Sequence, residues 1–204
     1  MIRNILLDQG GVIVDLKRDA CIEALRRLGM SNPEELIGLY VQSGPFEALE
    51  SGEIGVDEFH AVLRPYFPVG VTDAQVDAAF SSFIQGIPVS RLHAIRQLRR
   101  RYRTYILSNT NPIMMNGVIG RLFTQEGLTI NDYFDGIILS YEAGSCKPDR
   151  GIFDYAVNTF GIDPSESLFL DDGKANITAA RALGFHAALV PPGVEFSDVL
   201  AHVM

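Results

Sequence analysis

The chain has 204 residues, 47% of them hydrophobic and 21% charged, an ordinary globular composition that suggests one domain, or one domain with a modest insertion. A net charge of −8 provides no global field for nucleic acid or an anionic membrane, and no apolar run reaches membrane-spanning length. Two cysteines without paired spacing, Cys21 and Cys146, exclude a disulfide framework and a zinc signature and fit a reduced, cytoplasmic setting.

The N-terminus runs directly into "NILLD" (4–8), a short apolar run that reads as a buried strand rather than a secretory segment. It ends on Asp8, and the following Gly10-Gly11 reads as a tight turn. The stretch 16–87 carries no convincing strand and reads as an all-helical insertion. "KRDACIEALRRLG" is amphipathic and stops at Gly29. "SNPEELIGLYVQSG" opens with Asn32 as cap and Pro33 at the first helical position. "GVDEFHAVLRPYF" is helical until Pro65, and "TDAQVDAAFSSF" opens with Thr72 and Gln75 in capping-box spacing. An insertion of that length in a compact domain is usually functional.

Beyond residue 87 the pattern changes. Leu92, Ile95, Leu98 and Tyr102 form one apolar stripe on a helix whose arginines, in "RQLRRRYR" (96–103), sit near its C-terminus, where cations suit the helix dipole. They read as a solvated face, with a polyanion site as the alternative. Four further apolar runs follow: "TYILS" (104–108), "GIILS" (136–140), "SLFLD" (167–171) and "HAALV" (186–190). Helical patterns lie between them, "PDRGIFDYAVNTFG" stopping at Gly161 and "KANITAARALG" at Gly184. Strands alternating with helices predict an α/β fold with a parallel sheet covered on both faces. The division expected is a core of 1–15 and 88–204 and an inserted unit of 16–87.

In such a sheet, ligands bind beyond the carboxyl ends of the strands. Those ends carry Asp8, then Ser108-Asn109, then Lys147 in the loop after the third strand, then Asp171-Asp172. Singly, each has an ordinary reading as a cap, a turn or a surface loop; the set at four strand ends points to chemistry. Asp8, Asp171 and Asp172 would repel one another unless a cation joined them, and oxygen ligands of this kind suit Mg²⁺. Ser108, backbone amides and Lys147 are donors facing an acidic cluster. A phosphoryl group is what both halves could share, with Asp8 as the nucleophile. His60, His93, His186 and His202 are read as surface or core residues.

These stretches resemble the haloacid dehalogenase superfamily, phosphatase type: "LLDQGGVIVD", "ILSNT", "SCKPDRGIF" and "LFLDDGKANITAARALG" match its four motifs in order. The resemblance covers essentially the whole chain. It implies a three-layer, Rossmann-like sandwich with sheet order 5-4-1-2-3, and it makes 16–87 a helical cap between the first two motifs. Asp8 would be nucleophile and Mg²⁺ ligand, with the Gly10 carbonyl, Asp172 and Asp171 completing the metal set. Ser108, the Asn109 amide and Lys147 would bind the phosphoryl group, and Asn176 could orient the metal shell. The expected partner is a small phosphorylated metabolite, a sugar phosphate among the candidates; oligomeric state is left open.

The departure is Gly10, where most phosphatases of the superfamily have an Asp that acts as acid and base. Three explanations stand: a good leaving group, an acid lent by the cap (Glu47, Glu50 or Glu53, or Asp15 at the end of the turn), or binding without turnover. A metal-independent dehalogenase and a non-catalytic regulatory domain are the rival functions; the acidic pair Asp171-Asp172 has no use in halide displacement.

Overall fold

The computed structural model describes residues 1–38 and 42–204. Among the described residues seven strands form: β1 (Asn4–Leu7), β2 (Asp15–Leu16), β3 (Ile84–Gly86), β4 (Arg103–Ser108), β5 (Gly136–Leu139), β6 (Ser167–Asp171) and β7 (His186–Leu189). The main sheet has five strands in the order β5-β4-β1-β6-β7, all paired parallel. Numbered among the sheet's own strands and read from the β7 edge, this is the expected 5-4-1-2-3.

The strands alternate side chains between two packed faces, as the two-residue period requires. Ile5, Leu7, Ile106, Leu168 and Leu170 face one core; Leu6, Tyr105, Leu107 and Phe169 face the other. The second core is closed by the helices Arg150–Phe160 and Lys174–Ala182, the two expected from the sequence. A helix at Phe196–Val203 was not among the expectations. No helix among the described residues is long and apolar enough to cross a membrane.

Between β2 and β3 lie α1 (Arg18–Arg27), α2 (Pro45–Glu50), α3 (Val56–Leu63) and α4 (Asp73–Ser81). The capping box of α4 forms as expected: Gln75 N donates to Thr72 Oγ1 at 3.3 Å, and Thr72 N donates to Gln75 Oε1 at 2.9 Å. The helix expected from Asn32 onward is shorter. Among the described residues of that stretch a single 3₁₀ turn, Pro33–Glu35, forms; residues 39–41 lie outside them. A second correction concerns the base of the insertion. It is not all helical: β3 pairs antiparallel with β2, so the chain leaves and re-enters the core through a two-stranded ribbon. Phe46, Phe59 and Phe80 pack edge to face or tilted, with centroids 4.8–5.9 Å apart. They belong to the same apolar cluster as Ile5 and Leu7, so the insertion shares its core with one face of the sheet.

α5 (Val89–Arg99) covers β4. It ends before Tyr102, whose amide caps the last turn through Leu98 O at 3.0 Å. Arg96 pairs with Glu126 at 3.0 Å and Arg99 with Asp135 at 3.2 Å, so two of the arginines in 96–103 engage the protein's own carboxylates.

Candidate active site

Each strand-end residue is placed by the ladder beneath it. Asp8 N donates to Leu170 O at 2.8 Å, so the carboxylate of Asp8 emerges beside the end of β6. Its Oδ1 accepts from Gln9 N at 2.6 Å and from Lys147 Nζ at 2.8 Å. Lys147 reaches in from the loop after β5 and is 3% exposed; its ammonium also donates to Asp171 Oδ2 at 2.7 Å and Leu107 O at 2.8 Å. All three of its N–H bonds are thus spent on the core of the site. Asn109 holds that loop: its Oδ1 accepts from Lys147 N at 2.7 Å and its Nδ2 donates to Lys147 O at 2.9 Å. With the side chain so used, the main-chain amide of Asn109 remains for a ligand.

Asp171 ends β6 and Asp172 follows it, and the two carboxylates have different surroundings. Asp171 is fully buried and accepts from Gly173 N at 2.7 Å, Asn176 Nδ2 at 2.9 Å and Lys147. Asp172 faces a cavity that Asp8, Gly10, Ser108, Asn109, Lys147 and Asn176 also line. The structure therefore brings every residue expected of the site to one place, with Asp171 standing behind Lys147 rather than on the cavity wall. Carboxylate oxygens of Asp8, Asp171 and Asp172 come within 4.8 Å of one another.

The electrostatics of that cluster call for a cation. Burial, followed by Asp171, pushes Asp172 up to about 6. Burial raises Asp8 well above the usual carboxylate range, with Lys147 pulling it down and Asp171 and Asp172 adding to the rise. Burial opposes the charge of Lys147, yet Asp171 and Asp8 outweigh it and hold the ammonium ionised, above its ordinary value. One ammonium among three carboxylates leaves the cavity side of Asp8 and Asp172 uncompensated, and a hard divalent ion on oxygen donors fits there.

Two further features were not read from the sequence. Gly11 adopts φ +72°, and a Cβ there would collide with Asp172 Oδ2; the Gly-Gly pair was visible as a turn, but its contact with the acidic pair was not. Glu50, at the end of α2, lines the same cavity from the insertion side together with Gln42, Phe83 and Ile84. Burial pushes its carboxyl up to about 8, against the opposing pull of the neighbouring Asn111 amide. Asn111 is itself fully buried, and its Nδ2 makes no well-aligned hydrogen bond among the described residues.

Comparison with known proteins agrees with this geometry. The model of the haloacid dehalogenase-like hydrolases matches residues 2–184. A D-ribitol-5-phosphate phosphatase of Bacteroides thetaiotaomicron is 36% identical over 204 residues, covering 100% of this chain and 99% of that protein. A crystal structure of a haloacid dehalogenase family enzyme from the same organism, in complex with magnesium and inorganic phosphate, superposes with a TM-score of 0.93 at 36% identity, covering 98% of this chain and 99% of that one. A haloacid dehalogenase-like hydrolase from Porphyromonas gingivalis superposes with a TM-score of 0.91 at 34% identity, covering 100% and 98% of the two chains.

Proposed function

This chain belongs to the haloacid dehalogenase-like hydrolases, and from that premise we propose that it is a Mg²⁺-dependent phosphatase acting on a small phosphate monoester. The substrate class we favour is a sugar or polyol phosphate, because a full-length relative is a D-ribitol-5-phosphate phosphatase. The observation that carries the reading is the arrangement around Lys147: one buried ammonium bridges Asp8 and Asp171 at 2.8 and 2.7 Å, while Asp172 stays on the cavity wall.

In the proposed roles, Asp8, Asp172 and the Gly10 carbonyl hold the ion. Asp171 serves the metal set indirectly, fixing Lys147 and, through Asn176, the loop that follows. When bound, Mg²⁺ supplies charge neutralisation for the phosphoryl oxygens and keeps Asp8 ionised. Ser108 and the amide of Asn109 orient the phosphoryl group against Asp8, and the Lys147 ammonium, its N–H bonds held by Asp8, Asp171 and Leu107 O, contributes its positive charge beside it. Asp8 then attacks phosphorus to give an aspartyl-phosphate, which water later cleaves. Residues 16–87 act as a cap: they close the cavity with Gln42, Glu50, Phe83 and Ile84, and so select the leaving group and exclude bulk water.

Purified protein assayed on a panel of polyol, sugar and aryl phosphates should release phosphate with Mg²⁺ and stop with EDTA. A metal-loaded protein that hydrolyses none of the panel returns the site to the regulatory reading, and EDTA-resistant turnover of a 2-haloacid returns it to the dehalogenase.

A further inference from the structure

Expelling an alkoxide from phosphorus requires a proton, and a positioned acid is typically worth ~10²–10⁴ in rate. Among the described residues the cavity offers four titratable side chains: Asp8, Glu50, Lys147 and Asp172. In the phosphatase reading, on which this inference rests, Asp8 is the nucleophile and Asp172 faces the ion. The three N–H bonds of Lys147 are engaged. Position 10 is glycine. Asp15 is held by Arg91 at 2.7 Å and lies off the cavity. Of the three glutamates in "PFEALESGEI", Glu47 and Glu53 are exposed, and Glu50 is buried.

We propose that Glu50 is the general acid and base of this enzyme, acting on the leaving oxygen from the cap side of the cavity. The charged and titratable groups around it are Glu47 on its own helix, Glu53 just after it, Cys146, Lys147 and Asp149 on the loop after β5, and Asp8 and Asp172 across the cavity. Its carboxyl holds a proton at neutral pH because burial favours the uncharged form. The Nδ2 of Asn111, buried beside it and without an aligned acceptor among the described residues, is placed to donate to the carboxylate that forms. In the first step the bond from Asp8 to phosphorus forms, the ester P–O bond breaks, and Glu50 gives its proton to the departing alcohol. In the second, water attacks the aspartyl-phosphate, its proton passes to the Glu50 carboxylate, the bond to Asp8 breaks, and hydrogen phosphate leaves. Both groups return to their starting states.

The test is the leaving-group dependence of Glu50→Gln, which keeps shape and neutrality but cannot transfer a proton. A 4-nitrophenyl phosphate needs no proton to lose its phenolate; ribitol 5-phosphate does. In rapid-mixing experiments with Mg²⁺, the variant should show a burst of nitrophenolate at the wild-type rate, then steady turnover slowed ~10²-fold or more. With ribitol 5-phosphate it should show no burst of phosphoenzyme and a rate reduced ~10²–10⁴-fold. Glu50→Asp should recover part of the ribitol phosphate rate. Equal slowing of the first step on both esters, or wild-type rates on both, overturns the proposal while leaving the phosphatase intact. Wild-type protein inert on both esters overturns the phosphatase reading, and the role of Glu50 with it.

Discussion

Replacing Glu50 by Gln should stabilise the metal-free protein, and by an amount that depends on pH. Glu50 is 8% exposed, and its carboxyl is raised from 4.5 to about 8. The native state therefore binds a proton that the unfolded chain has released. Below pH 4.5 both states are protonated and the residue makes no difference. Between 4.5 and 8 the native state holds more protons than the unfolded one, so stability falls as pH rises. Each pH unit in that window costs about 1.4 kcal/mol, which gives an upper figure of about 3 kcal/mol at pH 7 and about 5 kcal/mol above pH 8; any opening of the cap lets water reach the carboxyl and reduces both. Glutamine is neutral throughout and escapes the cost. Urea unfolding of wild type and Glu50→Gln in EDTA at pH 5, 7 and 8.5 measures the gap directly. It should be below about 1 kcal/mol at pH 5 and widen by about 2 kcal/mol or more at pH 8.5. A gap that is constant across the three pH values, or that narrows as pH rises, refutes the buried neutral carboxyl.

Asp8→Asn should lower turnover by ~10³-fold or more, because an amide is no nucleophile toward phosphorus, while far-UV circular dichroism stays unchanged; a variant retaining a tenth of wild-type activity would remove Asp8 from its role. Lys147→Met leaves Asp8 and Asp171 without their shared ammonium, and denaturant unfolding without metal should show a loss of about 3–5 kcal/mol. A loss under about 1 kcal/mol would mean that solvent, not Lys147, compensates those carboxylates. Mg²⁺ affinity, measured by calorimetry, should weaken as pH falls from 7 to 5. Asp172, raised to about 6, takes up a proton there, and the proton competes with the ion. Affinity independent of pH across that span would place the ion elsewhere.

The five sheet strands were legible because buried parallel strands read as unbroken apolar runs, and the site was legible because such strands deliver their last residues to one edge. What escaped was short or distant. The ribbon of β2 and β3 has two residues on one side and three on the other, too few for any period to declare itself. Asp171 and Asp172 look equivalent in sequence, yet one is the last residue of β6 and backs Lys147 while the other lies past the strand end and faces the cavity. Glu47, Glu50 and Glu53 likewise look alike. Their separation into two wet side chains and one dry one depends on how α2 (Pro45–Glu50) meets a core segment about sixty residues further along the chain, and pattern alone carries no such information.

The paired crossing at Asp15–Leu16 and Ile84–Gly86 makes the excursion between them a closed loop in the polymer sense. Its ends already touch, so doubling the enclosed length would cost only about 0.6 kcal/mol of closure entropy. Closure entropy therefore sets little limit on the length of residues 17–83; the limit comes from the apolar face that Phe46, Phe59 and Phe80 share with the sheet, which any replacement segment must cover. A chimera spliced at those two points would keep Asp8, Ser108, Lys147 and Asp172 but take both its choice of alcohol and its proton donor from the new segment, because Glu50 leaves with the old one.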